Sequence, residues 1–523
     1  MKARVLRGSA GLIILLGWSL SACTVKMQRD GLFSRRSLRS STAVKLASKN
    51  VSGVTYGTFH LSFSGADASE VKLLFRDTHT GQTVFSSRVL PSGEVYLPGL
   101  AGLYTTELTK ENGTVSYGQA TVTDPITSWS SVQTFTPSVA FGHYRVWPDY
   151  TRAFGDYDGD GHLDFAYAEG NDGSGASVNP GIYLYRWDSG TSGFVFDARI
   201  ESTVPKIKGM RFVDLNGDGA LDLVYAFSDD TTYSAGICYL LNTDGTFGAS
   251  TCLMDSGTSV SNQTEFTQID VADVNHDGKP DVVAVGSVQS NGTINQVRLV
   301  YYRNTGSGLV VDADLTDPAV MHFSHVKIAD MNDDGKLDFV ALEGENNPAA
   351  QIYIFPQADD GTFSTASATR VPASGTGLFS LGYLNADTKP DIIVTAQGNG
   401  TGKYLESNAD DDTFTSHSIS APTELFSGLS CVTDLNLDGT PEVYFAPKNR
   451  LLYNNKDGIY FEQVSGFSSG ISLNSSNTIV GATSNMSWAE SNFDLVDLNG
   501  DRKLDLLYFS AYSGGTFEVI QGN

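Results

Sequence analysis

From about residue 49 onward the chain reads as short runs in which apolar and polar residues alternate, separated by clusters of Gly, Asn, Asp, Pro and Ser. A period of two places successive side chains on opposite faces of a strand, and polar turn formers between the runs predict antiparallel neighbours. In 49–127 the runs fall at 56–63, 71–75, 83–89, 94–97, 103–108 and 114–122, with turns at Thr80-Gly81, Pro91-Ser92-Gly93 and Glu111-Asn112-Gly113. Six or seven short strands of this kind predict a small β-sandwich. No apolar spacing of 3.6 residues is sustained anywhere, which excludes helical repeats.

Beyond residue 128 the pattern becomes periodic. In one unit, 211–213 leads into a polar loop, 221–227 leaves it, 236–241 forms a third run, and a turn at Thr243-Asp244-Gly245 opens a fourth. Corresponding loops begin at Asp156, Asp214, Asp273, Asp330, Tyr383, Asp434 and Asp497, spaced 51 to 63 residues apart. Repetition at this period signals an array of like units, and four short strands per unit make a propeller blade. The seventh unit stops one strand short, whereas 132–139 precedes the first unit and has the composition of that strand. The fold class expected is all-β: a seven-bladed β-propeller over 128–523, closed by an N-terminal strand and preceded by the sandwich of 49–127.

The polar loops carry the candidate chemistry. Oxygen-bearing side chains at positions one, three, five and nine, with a turn glycine at six and a carbonyl at seven, suit a hard cation that takes six to eight oxygens at about 2.3–2.6 Å, which is calcium. The first loop offers Asp156, Asp158, Asp160 and Asp164 with the carbonyl of His162, and the second Asp214, Asn216, Asp218 and Asp222 with that of Ala220. The third offers Asp273, Asn275, Asp277 and Asp281 with Lys279, and the fourth Asp330, Asn332, Asp334 and Asp338 with Lys336. The fifth has Tyr383 at position one and Thr388 at six, leaving Asn385, Asp387 and Asp391, and is expected to be empty. The sixth offers Asp434, Asn436 and Asp438, the carbonyl of Thr440, and Glu442, whose extra methylene moves its carboxylate outward. The seventh keeps Asp497, Asn499, Asp501 and Asp505 with Lys503, but has Arg502 in place of the turn glycine. Four to six calcium ions are expected, acting chiefly as turn staples.

These loops resemble the calcium-binding motif of FG-GAP repeats, as in integrin α-subunit propellers and bacterial VCBS-repeat proteins. The resemblance covers about 130–523. It implies that each loop joins the first two strands of a blade. The family includes adhesins, receptors, carbohydrate-binding proteins and polysaccharide-acting enzymes, so the scaffold is better defined than the activity. Around 97–104 the earlier domain resembles immunoglobulin-like or transthyretin-like sandwiches.

The N-terminus places the protein. Residues 1–22 have a basic front, a short apolar middle and then Leu20-Ser21-Ala22-Cys23, which resembles the lipobox of bacterial lipoproteins. The expectation is a cleaved signal, lipidation at Cys23, and a flexible basic tether over 23–48 beside the membrane. The location implied is the bacterial cell envelope, in the outer membrane. A net charge of −25 argues against a nucleic-acid partner. Cys238 and Cys252 flank one hairpin and fall nearly opposite each other, so a disulfide is expected in an oxidising compartment, the alternative being two buried thiols. No H-E-x-x-H, G-x-S-x-G or phosphate-binding glycine loop is present. Tyr144, Trp147, Tyr150, Tyr301 and Tyr302 are candidates for a ligand-facing surface. The function expected is a calcium-stabilised binding or adhesion lipoprotein for a glycan or protein, without catalysis. The alternatives are a lyase-like, calcium-dependent polysaccharide enzyme and a purely structural envelope component.

Overall fold

The computed structural model describes residues 152–169, 181–317 and 323–419, apart from short stretches between strands. Outside them it describes individual strands from 6 to 135 and segments within 430–522. Two four-stranded antiparallel sheets lie before residue 123. One pairs Val54–Ser62 and Ser92–Pro98 centrally, and the other orders Val115–Val122, Gly102–Thr109, Val71–Asp77 and Thr83–Val89. The expected signal, lipid anchor and tether fall largely outside the described residues. Among those described, no helix is long and apolar enough to cross a membrane.

A run of four-stranded antiparallel sheets follows, built from strands that succeed one another along the chain except in the last sheet. The first comprises Arg152–Gly155, Asp164–Glu169, Gly181–Asp188 and Gly193–Glu201, and the second Lys206–Val213, Asp222–Asp229, Ser234–Leu240 and Thr251–Asp255. The third, fourth, fifth and sixth begin at Gln263, Phe323, Phe379 and Ser430. The last comprises Phe493–Val496, Asp505–Ser510 and Thr516–Ile520, and Gln133–Phe135 pairs antiparallel with its outer strand.

The second strands are buried on both faces, which explains runs such as Val282-Val283-Ala284-Val285, all fully buried. A sheet covered on both sides has no solvent face and so no reason to alternate. Apolar side chains join neighbours. Phe212, Leu223 and Tyr225 of the second sheet pack with Ala153, Ala166 and Leu184 of the first, and Val224 and Ile237 pack with Phe266 and Val300 of the third. Phe154, Phe165 and Tyr185 of the first sheet share a cluster with Val496, Leu507 and Val519 of the last.

The expected closed seven-bladed propeller needs correction. Among the described residues no sheet is closed into a barrel or curled. Backbone pairing ends at the outer strands of each four-stranded sheet, and neighbouring sheets meet through side chains. What stands is an all-β, multi-sheet, propeller-like structure.

Some of those side-chain contacts are polar and periodic. The Asn242 amide donates to the carbonyl of Tyr157 (2.7 Å), that of Asn304 to Leu215 (2.7 Å), and that of Gln357 to Val274 (3.3 Å). In each case the end of a third strand reaches position two of the preceding sheet's loop. Within the second sheet, Cys238 and Cys252 are disulfide-bonded between facing strands, with Cα atoms 4.1 Å apart.

Candidate metal centre and junction cavity

Each described loop joins the first and second strands of its sheet. Its turn is set by two left-handed residues, one more than the motif suggests. The glycine at position six has φ between +85° and +91° in the first four loops, where a Cβ would be strained. Position four is also left-handed, occupied by Gly159 and Gly217 in the first two loops and by His276 and Asp333, both at φ 58°, in the next two.

The carboxylates divide into two roles. At position one, Asp156 accepts the N–H groups of Asp160 (3.0 Å) and Gly161 (2.9 Å), and Asp273 and Asp330 repeat this pair of bonds in their own loops. Side-chain oxygens at positions three and five accept further N–H groups, as Asn216 does from Asp218 and Asp218 from Ala220. These bonds turn the oxygens toward the inside of the loop. Asp156, Asp158 and Asp164 bring ligand atoms within 4.8 Å of one another.

At position nine the carboxylate does more than face a cation. Asp222 accepts Leu215 N–H (2.9 Å) on one oxygen and Asn242 N–H (2.7 Å) on the other, tying the loop to the third strand. Asp164, Asp281, Asp338 and Asp505 do the same. So does Asp391 in the fifth loop, where Tyr383 is buried at position one. Asn385 and Asp387 of that loop lie outside the described residues, as do Asp434, Asn436, Asp438 and Thr440 of the sixth, Arg502 of the seventh and the side chain of Glu442.

Burial dominates the electrostatics. It pushes Asp164, Asp330 and Asp505 up to about 8, Asp338 to about 7, and Asp222 and Asp281 to about 6, with neighbouring carboxylates adding to the effect in each case. Clustered, desolvated carboxyls are costly to ionise unless a cation offsets them. An all-oxygen donor set gathered round a tight turn fits a calcium ion. The side chains at one, three, five and nine would hold it, and it would supply positive charge that keeps the carboxylates ionised and the turn fixed. Lysines at position seven offset part of the charge: Lys279 lies 3.1 Å from Asp277, and Lys336 lies 3.0 Å from Asp334 and from Asp359.

The N-terminal sheet that contains Val71–Asp77, Gly102–Thr109 and Val115–Val122 docks on the third and fourth loops. Arg76 reaches Asp273, the first ligand position of the third loop, at 3.2 Å, and lies 3.7 Å from Glu107. The Tyr117 hydroxyl is 3.1 Å from Nε2 of His276, with the two rings stacked. A Cβ on Gly335 would come within 2.7 Å of the Val115 carbonyl, so this glycine permits close approach as well as the turn.

Between that N-terminal sheet and the first strands of the repeat sheets lies a cavity of about 360 Å³. Arg76, Glu107 and Tyr117 line one side, and Arg152, Arg211, Gln268, Asp270, Lys327 and Asp494 the other. Arg152 is buried and paired with Asp494 at 2.8 Å. Gln268 and Asp270 accept the backbone N–H groups of Val326 (2.7 Å) and Ile328 (3.1 Å). His325, another lining residue, is buried with Nδ1 3.2 Å from the Ser324 hydroxyl. None of these cavity residues stands out for binding in the sequence, because their partners lie far away along the chain, as Asp273 does from Arg76 and Asp494 from Arg152. Tyr301 and Tyr302, taken there as candidates for a ligand-facing surface, are both buried. Tyr301 donates to Asp281 (2.8 Å). Their strand packs on both faces, so neither ring reaches a surface. Tyr144, Trp147 and Tyr150 lie outside the described residues.

A family model described as an FG-GAP-like repeat matches residues 156–225, 214–284, 273–341 and 330–394, an FG-GAP-like repeat region covering less than half of the chain. No curated protein matches the chain. Among solved structures, a rhamnogalacturonan lyase of Bacillus licheniformis is similar at 13% identity and a TM-score of 0.43, over 97% of this chain and 90% of that one. A putative 6-phosphogluconolactonase of Bacteroides uniformis is similar at 11% identity and a TM-score of 0.39, over 79% and 97%. Sqt1 of Saccharomyces cerevisiae is similar at 10% identity and a TM-score of 0.40, over 77% and 100%. At these levels the likenesses define neither substrate nor activity.

Proposed function

We propose that the chain is a calcium-stabilised glycan-binding protein of the bacterial cell envelope, tethered through Cys23, with the junction cavity as its binding site. The observation that carries this reading is the cavity itself. It lies between an N-terminal sheet and the repeat sheets, its volume falls in the small-ligand range, and its wall carries both hydrogen-bond donors and acceptors. That mixture suits a polyhydroxylated ring. On this reading four to six of the loops carry calcium and the fifth carries none. Ions in the third and fourth loops would stiffen the surface on which that N-terminal sheet rests. The test is a saccharide-binding screen by calorimetry on the full chain in detergent, with calcium and with chelator. Binding that weakens on chelation, without turnover, is the expected result, and no binding to any saccharide overturns the reading.

A lyase-like, polysaccharide-acting enzyme is the second reading. Its support is that Tyr117, Lys327 and His325 line the same cavity as Asp273 and Asp330 of the calcium loops. Proton donors and acceptors beside a cation-binding loop are the components that elimination next to a sugar carboxylate needs. Release of unsaturated sugar ends, followed by ultraviolet absorbance, distinguishes this reading from simple binding.

A further inference from the structure

The cavity's charges indicate which class of sugar it takes, an inference that rests on the glycan-binding reading. Most of the ionised groups on its wall are already committed. Arg152 is paired with Asp494, Arg76 with Asp273 and Glu107, and Asp77 accepts both the N–H and the hydroxyl of Thr80. Asp270 accepts Ile328 N–H, and Asp330 accepts two N–H groups of its own loop.

Arg211 differs. It stands on the first strand of the second repeat sheet, half-buried, and among the described residues its guanidinium donates only to the adjacent Met210 carbonyl (3.0 Å). Among the described residues no carboxylate faces it in an ion pair. A guanidinium has five donors in a planar fork that matches a carboxylate, and partial burial strengthens such a pair relative to open water. Lys327, from the fourth repeat sheet, adds a second cation to the same wall. Gln268 and Asp270, between these two in the sheet order, offer acceptors for hydroxyl groups.

We propose that the junction cavity binds an acidic sugar, a hexuronate whose carboxylate is held by Arg211 and whose hydroxyls meet Gln268 and Asp270. The cavity wall carries more carboxylates than cationic side chains and the whole chain is strongly negative, so Arg211 selects an anion by direct contact rather than by long-range attraction.

The experiment is calorimetric titration of the full chain, calcium present, with a hexuronate-containing disaccharide and with its neutral hexose counterpart. The acidic disaccharide should bind at least ten-fold more tightly. Arg211→Gln should remove that preference while leaving the melting temperature unchanged. Should Arg211→Gln fail to fold, Lys327→Gln together with a salt titration of the wild-type affinity replaces it, and a weaker, salt-sensitive preference is expected. Equal binding of the two sugars, or an acidic preference that survives loss of the cation, overturns the acidic-sugar assignment and leaves the glycan reading in place. Failure of both sugars and of every other saccharide overturns both.

Discussion

At the scale of single residues, the loop carboxylates hold the backbone and face the cation position at once: position one accepts N–H groups within the loop, and position nine ties the loop to the third strand. Asp222 is fully buried and accepts two backbone N–H groups, so Asp222→Ala leaves both donors unsatisfied. A loss of about 2–4 kcal/mol is expected without calcium, and a larger one with calcium because Asp222 would also hold the ion, read from chemical denaturation. Asp391→Ala should behave like the calcium-free case under both conditions, since the fifth loop is expected to bind no ion. Asp214→Asn keeps only one of the two oxygens that accept the Gly217 and Gly219 N–H groups, so it should lower the calcium-free stability by about 1 kcal/mol and also reduce the stabilisation calcium gives. Titration follows from the same burial. Without calcium, folding raises the carboxyls of Asp222, Asp281, Asp338, Asp164, Asp330 and Asp505 above the ordinary carboxylate range. The folded chain then holds protons that the unfolded chain has released. This contribution to stability is complete below about pH 4 and is lost as pH rises through about 6 to 8. Melting in chelator should therefore fall between about pH 5 and pH 8, and the gain on adding calcium should grow over the same interval.

At the scale of elements, the repeat was legible in the sequence because its ligand positions lie within nine residues and its strands within a few more. Position four was missed, since His276 and Asp333 are not residues that announce a left-handed turn. Tyr301 and Tyr302 were misplaced for another reason. In a strand packed on both faces, alternation no longer marks an outer side, and each tyrosine enters a different interface. The ties from Asn242, Asn304 and Gln357 to the preceding loop were likewise hidden, because a polar residue at a strand end resembles a turn former until its partner is known. Asn242→Ala removes two donors to buried carbonyls, of Tyr157 and Leu221. It should cost about 1–3 kcal/mol and raise hydrogen exchange in the first and second loops together. The docked N-terminal sheet gives a further test. Arg76→Ala breaks a largely buried pair with Asp273 and should expose 71–122 to limited proteolysis, with the repeat sheets left intact.

At the scale of the whole molecule, local patterns specified the sheets and left their arrangement open. Seven loops at regular spacing and a strand near 132–139 suggested a closed ring. The structure pairs Gln133–Phe135 with Thr516–Ile520, but as separate four-stranded sheets joined by side chains, with none closed among the described residues. The junction cavity was invisible because Arg76, Arg152, Arg211 and Asp494 come together only after the N-terminal sheet docks on loops about 200 residues away in sequence. The central claim is that calcium in those loops fixes the scaffold on which the cavity is built. Scanning calorimetry of the full chain in excess calcium and in excess chelator at about pH 7.5 tests it most directly. A rise in melting temperature of several degrees that grows with free calcium is the predicted result, and an unfolding transition indifferent to calcium would contradict the account.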